Sequence, residues 1–254
     1  MGYRTDLLSS RSIVKHGVYA LITPEGLVNN VLPHFEDVSL SIIASPKMGA
    51  SFVEYLVDFA PGGGNREAFG GDGIETFVYV LSGSLEVLIE DETFQLADEG
   101  YAYCPPDKAM VMTNKSSGHT KAILYKQRYI PAKGVGLPWV VSNHVSNLEA
   151  YDYDEMADVS MSDLLPKAIE FDMNFHILSF QPGGSHPFIE THVQEHGAYL
   201  ISGEGMYNLN NEWIPVKKHD FIWMGPFVHQ ATYAVGMEPL TYVYSKDCHR
   251  DPEI

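Results

Sequence analysis

Residues Tyr79–Pro106, YVLSGSLEVLIEDETFQLADEGYAYCPP, return 120 positions later as Tyr199–Pro226, YLISGEGMYNLNNEWIPVKKHDFIWMGP. The offset sets Tyr79 on Tyr199, Ser82 on Ser202, Gly83 on Gly203 and Pro106 on Pro226. Upstream, with one residue of slip, Pro61-Gly62-Gly63 falls on Pro182-Gly183-Gly184. Each copy reads as a proline–glycine turn, a strand, a glycine turn, a hairpin and a further strand. Two such units in tandem predict an all-β chain of two sandwich or jelly-roll barrels.

Working outward, Val38–Ile43 and Phe52–Val57 read as strands, the first with apolar and polar residues alternating. The run Pro61-Gly62-Gly63-Gly64-Asn65 reads as a turn, since no Gly-Lys-Ser/Thr follows it to make a phosphate cradle. Glu75–Gly83 reads as a buried strand, and Ser84–Ala97 as a hairpin turning at Asp91-Glu92. Short apolar runs at Val18–Ile22 and Leu27-Val28 suggest early strands. Residues 129–160 are punctuated by Pro and Gly, then acidic, and read as the linker. Ser160–Leu165 suggests a single helical turn stopped by Pro166. The expected domains are 1–140 and 141–254.

Composition agrees. The chain has 254 residues, 12% of them aromatic, with 22 Gly and 15 Pro, which suits short strands and tight turns. The formal charge of −17 argues against a nucleic-acid partner, which needs a basic face. An anionic substrate would need a local positive focus, a metal or a lysine. Two cysteines, Cys104 and Cys248, make no disulfide framework. No signal-like or membrane-length apolar run occurs, so a soluble cytoplasmic protein is expected.

Chemistry concentrates in Gly184–Gly203, GSHPFIETHVQEHGAYLISG. Glu190 and His192 are two apart and leave one face of a strand. His196 follows closely, and His186 lies just upstream. One carboxylate and two imidazoles so placed read as a metal site. The alternative is a solvated polar strand face. Glu195 shares its repeat position with Glu75, so a supporting or solvent role is expected for it. In the first copy the matching positions fall near Gly70, Asp72, Thr76 and Met110, and no histidine lies between His34 and His119. The first barrel is therefore expected to lack a metal site and to serve packing and assembly.

The spacing Gly184-x5-Glu190-x-His192-x3-His196-x6-Gly203 resembles the first motif of the cupin superfamily, with the ligand types permuted. In the second cupin motif, counted from His219, the ligand position falls on Gln230. His229, next to it, would point the other way on a strand; both are candidates, and the spacing favours Gln230. His219, Gly225 and Phe227 depart from the glycine, proline and glycine usual there. Longer blocks sharpen the likeness: ETHVQEHGAYLISG, GGDGIETFVYVLSG, GYAYCPP, FDMNFHILSF, YRTDLL and the ending YSKDCHRDPEI. Together they resemble the bicupin family of (S)-ureidoglycine aminohydrolases, which act in allantoin and purine breakdown.

The resemblance implies a Mn²⁺ site of Glu190, His192, His196 and Gln230, with Tyr207, Tyr242 and Lys246 touching substrate as catalytic candidates. It implies hydrolysis of (S)-ureidoglycine to (S)-ureidoglycolate and ammonia, and a homo-oligomer built from dimers. Two imidazoles with two oxygen donors and no thiolate favour Mn²⁺ or Fe²⁺ over structural zinc. Tyr242, Tyr244 and Lys246 share a strand face; a lysine facing the barrel could act as base or bind a carboxylate, whereas one past the strand end would be solvated. The alternatives are another metal-dependent cupin enzyme, an oxygenase or isomerase, and a non-catalytic metabolite-binding bicupin.

Overall fold

The computed structural model describes residues 10–247 and 250–251; the Tyr3–Leu8 block and Cys248 lie outside these. The described chain is almost wholly β, with two 3-10 turns at Pro24–Gly26 and Val145–Asn147. Cys104 is buried and reduced. Among the described residues no helix is long and apolar enough to cross a membrane.

Two β-barrels stand side by side. Strands of the two copies pair in matching register, as the repeat requires. Tyr79 faces Tyr101, and Tyr199 faces Phe221. Thr120 faces Phe59, and Leu240 faces Phe180, which carries the one-residue slip into the upstream strands. The first barrel is one ten-stranded sheet, and the second combines an eight-stranded with a three-stranded sheet. Alternation fills each barrel with apolar side chains: Val57, Phe59, Val78, Val87, Met112 and Leu124 in the first, Leu178, Phe180, Leu200, Leu209 and Val216 in the second. A third, aromatic core lies between them, with Phe77 and Phe175 stacked at 3.9 Å.

The copies exchange strands. Tyr19–Ile22, from the start of the chain, pairs with Phe221–Met224 of the second barrel. Val141–His144, which precedes the second copy, pairs with Gly100–Cys104 of the first. Residues 129–160 are thus not only a connection. They also supply Tyr151–Tyr153 and the start of Met156–Asp163, an edge hairpin of the second barrel. Ser160–Leu165 forms no helical turn, because its first residues ladder onto Asn174–Phe180. Leu27 and Val28 join no strand.

The glycine run is strand, not turn: Val53–Asn65 continues through it. A Cβ on Gly63 would meet the Asp37 carbonyl, and one on Gly64 the Met112 carbonyl. Glycine is needed there for the close approach of two backbones, and that approach binds the two faces of the first barrel together.

Candidate metal centre and active site

In the second barrel Glu190 is held by its own backbone. Its N–H donates to the Gln230 carbonyl at 2.9 Å, and the Gln230 N–H donates back at 3.0 Å. This bridge brings two segments forty residues apart to one point of the barrel interior. His196 opens the strand His196–Ser202, and Gln230 opens Gln230–Val235. Tyr207, Tyr242 and Lys246 come from the neighbouring strands Glu204–Leu209 and Leu240–Lys246. These six and His192 line one cavity of about 140 Å³.

His229 takes the opposite side of the strand: it is exposed, and its Nδ1 lies 3.0 Å from the Asn211 amide. Gln230 is 3% exposed and lies inside. His219 and Phe227, at the motif positions where glycine is usual, have φ of 74° and 60°. The backbone keeps the left-handed conformation that favours glycine without the glycine itself.

The two imidazoles are fixed from behind. His196 Nδ1 lies 2.8 Å from the Ser245 carbonyl, and His192 Nδ1 3.1 Å from the Gln194 carbonyl. A carbonyl only accepts, so each Nδ1 carries the proton and each Nε2 presents a lone pair. The two Nε2 atoms face one another at 3.3 Å. Burial lowers the pKa of both rings, that of His196 to about 3, so neither supplies a second proton at neutral pH. Two lone pairs aimed at one point repel unless a cation shares them. Two nitrogens bound side by side to an ion at 2.0–2.1 Å stand roughly 3 Å apart, so the pair fits a divalent metal. The Gln230 carboxamide nitrogen lies 2.6 Å from His192 Nε2 and donates an N–H to its lone pair; turned end for end, the same amide brings its oxygen to that point as a third metal donor.

Glu190 faces slightly aside. Tyr153 donates its hydroxyl to Glu190 Oε2 at 3.4 Å, and His186 Nε2 lies 3.9 Å from Oε1. His186 Nδ1 accepts from the Thr232 N–H at 2.9 Å, so Nε2 carries its proton toward the carboxylate. Among the described residues, no three His, Cys, Asp or Glu side chains are already drawn together as a metal cluster; the gathered donors are two imidazoles and an amide. Burial raises the Glu190 pKa, while the Tyr153 hydrogen bond and the Lys246 charge oppose the rise.

Glu195 is neither solvated nor turned into the cavity. It is 2% exposed, and its carboxylate accepts from the Ser51 N–H at 2.8 Å and from Trp223 Nε1 at 2.7 Å. Its repeat mate Glu75 accepts from Gln127 Nε2 at 2.7 Å and from the Tyr103 hydroxyl. Each clamps an aromatic donor on a neighbouring strand, and Glu195 also ties the second barrel to Ser51 of the first.

The sequence reading missed several of the cavity's walls. Tyr153 comes from the stretch read as linker, Met161 from the one read as a helical turn, and His176 from Asn174–Phe180, where it alternates with the interior residues Leu178 and Phe180. That alternation was the available signal for His176. Nothing local marks Tyr153.

No family model matches the chain. It is 55% identical over 254 residues to the (S)-ureidoglycine aminohydrolase of Escherichia coli (strain K12), covering 100% of this chain and 97% of that protein. It superposes on the crystal structure of protein Ylba from E. coli, described under DUF861, with a TM-score of 0.88 and 53% identity over the whole of both chains. It also superposes on Bacillus subtilis oxalate decarboxylase, TM-score 0.70 and 10% identity, over 95% of this chain and 79% of that one, a likeness that shows the bicupin fold alone. Identity of this degree along the full length, on a two-barrel fold with one equipped interior, means that the chain is an enzyme of the (S)-ureidoglycine aminohydrolase family.

Proposed function

We propose that the second barrel hydrolyses (S)-ureidoglycine to (S)-ureidoglycolate and ammonia, with Glu190, His192, His196 and Gln230 holding Mn²⁺. The observation that carries this reading is the pair of proton-free Nε2 atoms at 3.3 Å, backed by two carbonyls and joined by the Gln230 amide. Manganese bound there would supply Lewis acidity and a template for a small chelating substrate. Ureidoglycine carries a carboxylate, an amine and a ureido group on one carbon, so holding two of them fixes which face of that carbon is open.

The chain's own residues do the rest. Lys246 ends its strand at the cavity, where an ammonium can bind the substrate carboxylate or give and take the proton that accompanies ammonia loss. Tyr207 and Tyr242, 2% and 3% exposed, stand side by side with ring centroids 6.2 Å apart. Burial holds both phenols protonated, so they present O–H donors that position substrate or the incoming water. The ureido nitrogen lone pair assists departure of ammonia, and water then adds to the open face.

An ammonia-release assay on fresh (S)-ureidoglycine with manganese-loaded protein, followed by chiral chromatography, tests the reading. Stoichiometric ammonia with a single product enantiomer is expected, and no turnover overturns it. Cytoplasmic localisation and a homo-oligomer built from dimers complete the proposal; light scattering checks the latter.

A further inference from the structure

The mouth of the first barrel repeats the framework of the second with other side chains. Phe69 stands opposite Met110 as Glu190 stands opposite Gln230. Tyr55 faces Leu124 as His176 faces Tyr244. Thr76 faces Cys104 as His196 faces Met224. In register, then, three of the four candidate metal ligands are replaced by phenylalanine, threonine and methionine. One functional candidate is kept: Lys126 lies 120 residues before Lys246, on the face of Thr120–Arg128 that also carries the interior residue Leu124.

A cavity of about 420 Å³ opens at this mouth. Its polar lining residues are Lys126, Arg128, Ser51 and Gln127, the last with its amide turned away to Glu75, and among the described residues no carboxylate lines it. Two cations without an acid stand out in a chain of formal charge −17. The Lys126 ammonium rests over two rings, 5.3 Å from the centroid of Phe69 and 5.8 Å from that of Tyr55. Arg128 reaches the Asp72 carbonyl at 3.5 Å. Burial pushes the Lys126 pKa down, as desolvation does to an ammonium with no counter-ion.

We propose that this mouth is a second small-molecule site, a metal-free seat for a small organic carboxylate. Lys126 and Arg128 take the carboxylate oxygens. Phe69, Val53 and Ile74, which line the cavity, pack against the organic body, which is why a carboxylate suits the site better than inorganic phosphate. Its size lies in the range of ordinary metabolite pockets. The wall also includes Ser51, whose N–H holds Glu195 beside His196, so a ligand here would lie one residue from the equipped barrel. The inference does not rest on the chemistry proposed for that barrel.

Calorimetric titration of the full-length protein at low ionic strength tests it, with N-carbamoylglycine and inorganic phosphate as probes. The double variant Lys246→Met, His196→Ala serves as background, so that the second barrel offers neither lysine nor metal to the probe. One equivalent of N-carbamoylglycine is expected to bind with a Kd of roughly 1 mM or tighter, at least about tenfold more tightly than phosphate. Adding Lys126→Met should weaken it about tenfold or more, while Lys126→Arg retains it and both variants keep their melting temperature. Absence of binding heat, binding indifferent to Lys126→Met, or phosphate binding equally well overturns the proposal.

Discussion

The two barrels share a register and differ in what stands at it. In the first, Met110 meets Phe69 and Ile89, and all three are buried apolar side chains. In the second, Gln230 meets Glu190 and Leu209, and a cavity opens beside them. The pairings correspond, so the difference at this position lies in the side chains. The equipped site is made by withholding apolar volume there and aiming donors into the space.

Removing a donor from the equipped barrel should have the largest effect. His196→Ala is expected to lower turnover by about a thousandfold or more and to empty the site of metal, as seen by ammonia release and elemental analysis. Making the second barrel resemble the first comes next. Gln230→Met should weaken manganese binding by roughly 10- to 100-fold in a chelator competition, while melting temperature holds or rises, because a buried amide gives way to an apolar chain. If affinity is unchanged, Gln230 is not a ligand.

The shared backbone makes a third, symmetric prediction. Gly83 and Gly203 have φ of 94° and 71°, and a Cβ on either would collide with the chain behind it, His119 and Pro239 respectively. Gly83→Ala and Gly203→Ala should each cost more than about 1 kcal/mol and lower the melting temperature by several degrees. Unequal losses would show that the two turns are not equivalent.

The smallest effect tests the seam between the barrels. In register, Glu54 of the first barrel occupies the place of Phe175 in the second. Glu54 is 1% exposed, both its oxygens lack partners, and burial raises its pKa from 4.5 to about 8. A carboxyl whose folded pKa is raised binds its proton more tightly in the folded state, so stability falls as pH rises from about 4.5 to about 8. Glu54→Gln should remove that slope and melt a few degrees higher than the parent at pH 8–9, with little difference near pH 5. A parallel pH profile for the two proteins would show that Glu54 ionises freely.

The architecture was legible because its punctuation is forced. Gly83 and Gly203 must be glycine, and they keep time across the repeat. The run at Gly62–Gly64 misled because glycine serves two needs, a left-handed turn and a close backbone approach, and only the neighbouring strand tells them apart. The strand exchange was illegible for a related reason: Tyr19–Ile22 declares itself a strand but does not declare its partner. At the site, Glu190, His192 and His196 show by density, and Gln230 by spacing. His186, on one side of the Glu190 carboxylate, belongs to the same histidine-rich stretch; Tyr153, on the other, shows only once distant segments meet.

The exchange of Tyr19–Ile22 and Val141–His144 has a consequence in time. Tyr19–Ile22 waits for Phe221–Met224, roughly 200 residues later in the chain. At a synthesis rate of about 5–20 residues per second, that is on the order of 10–40 s. A strand that leaves the ribosome early is thus among the last to find its place. Until then the emerging chain shows an unpaired edge to every other copy being made nearby.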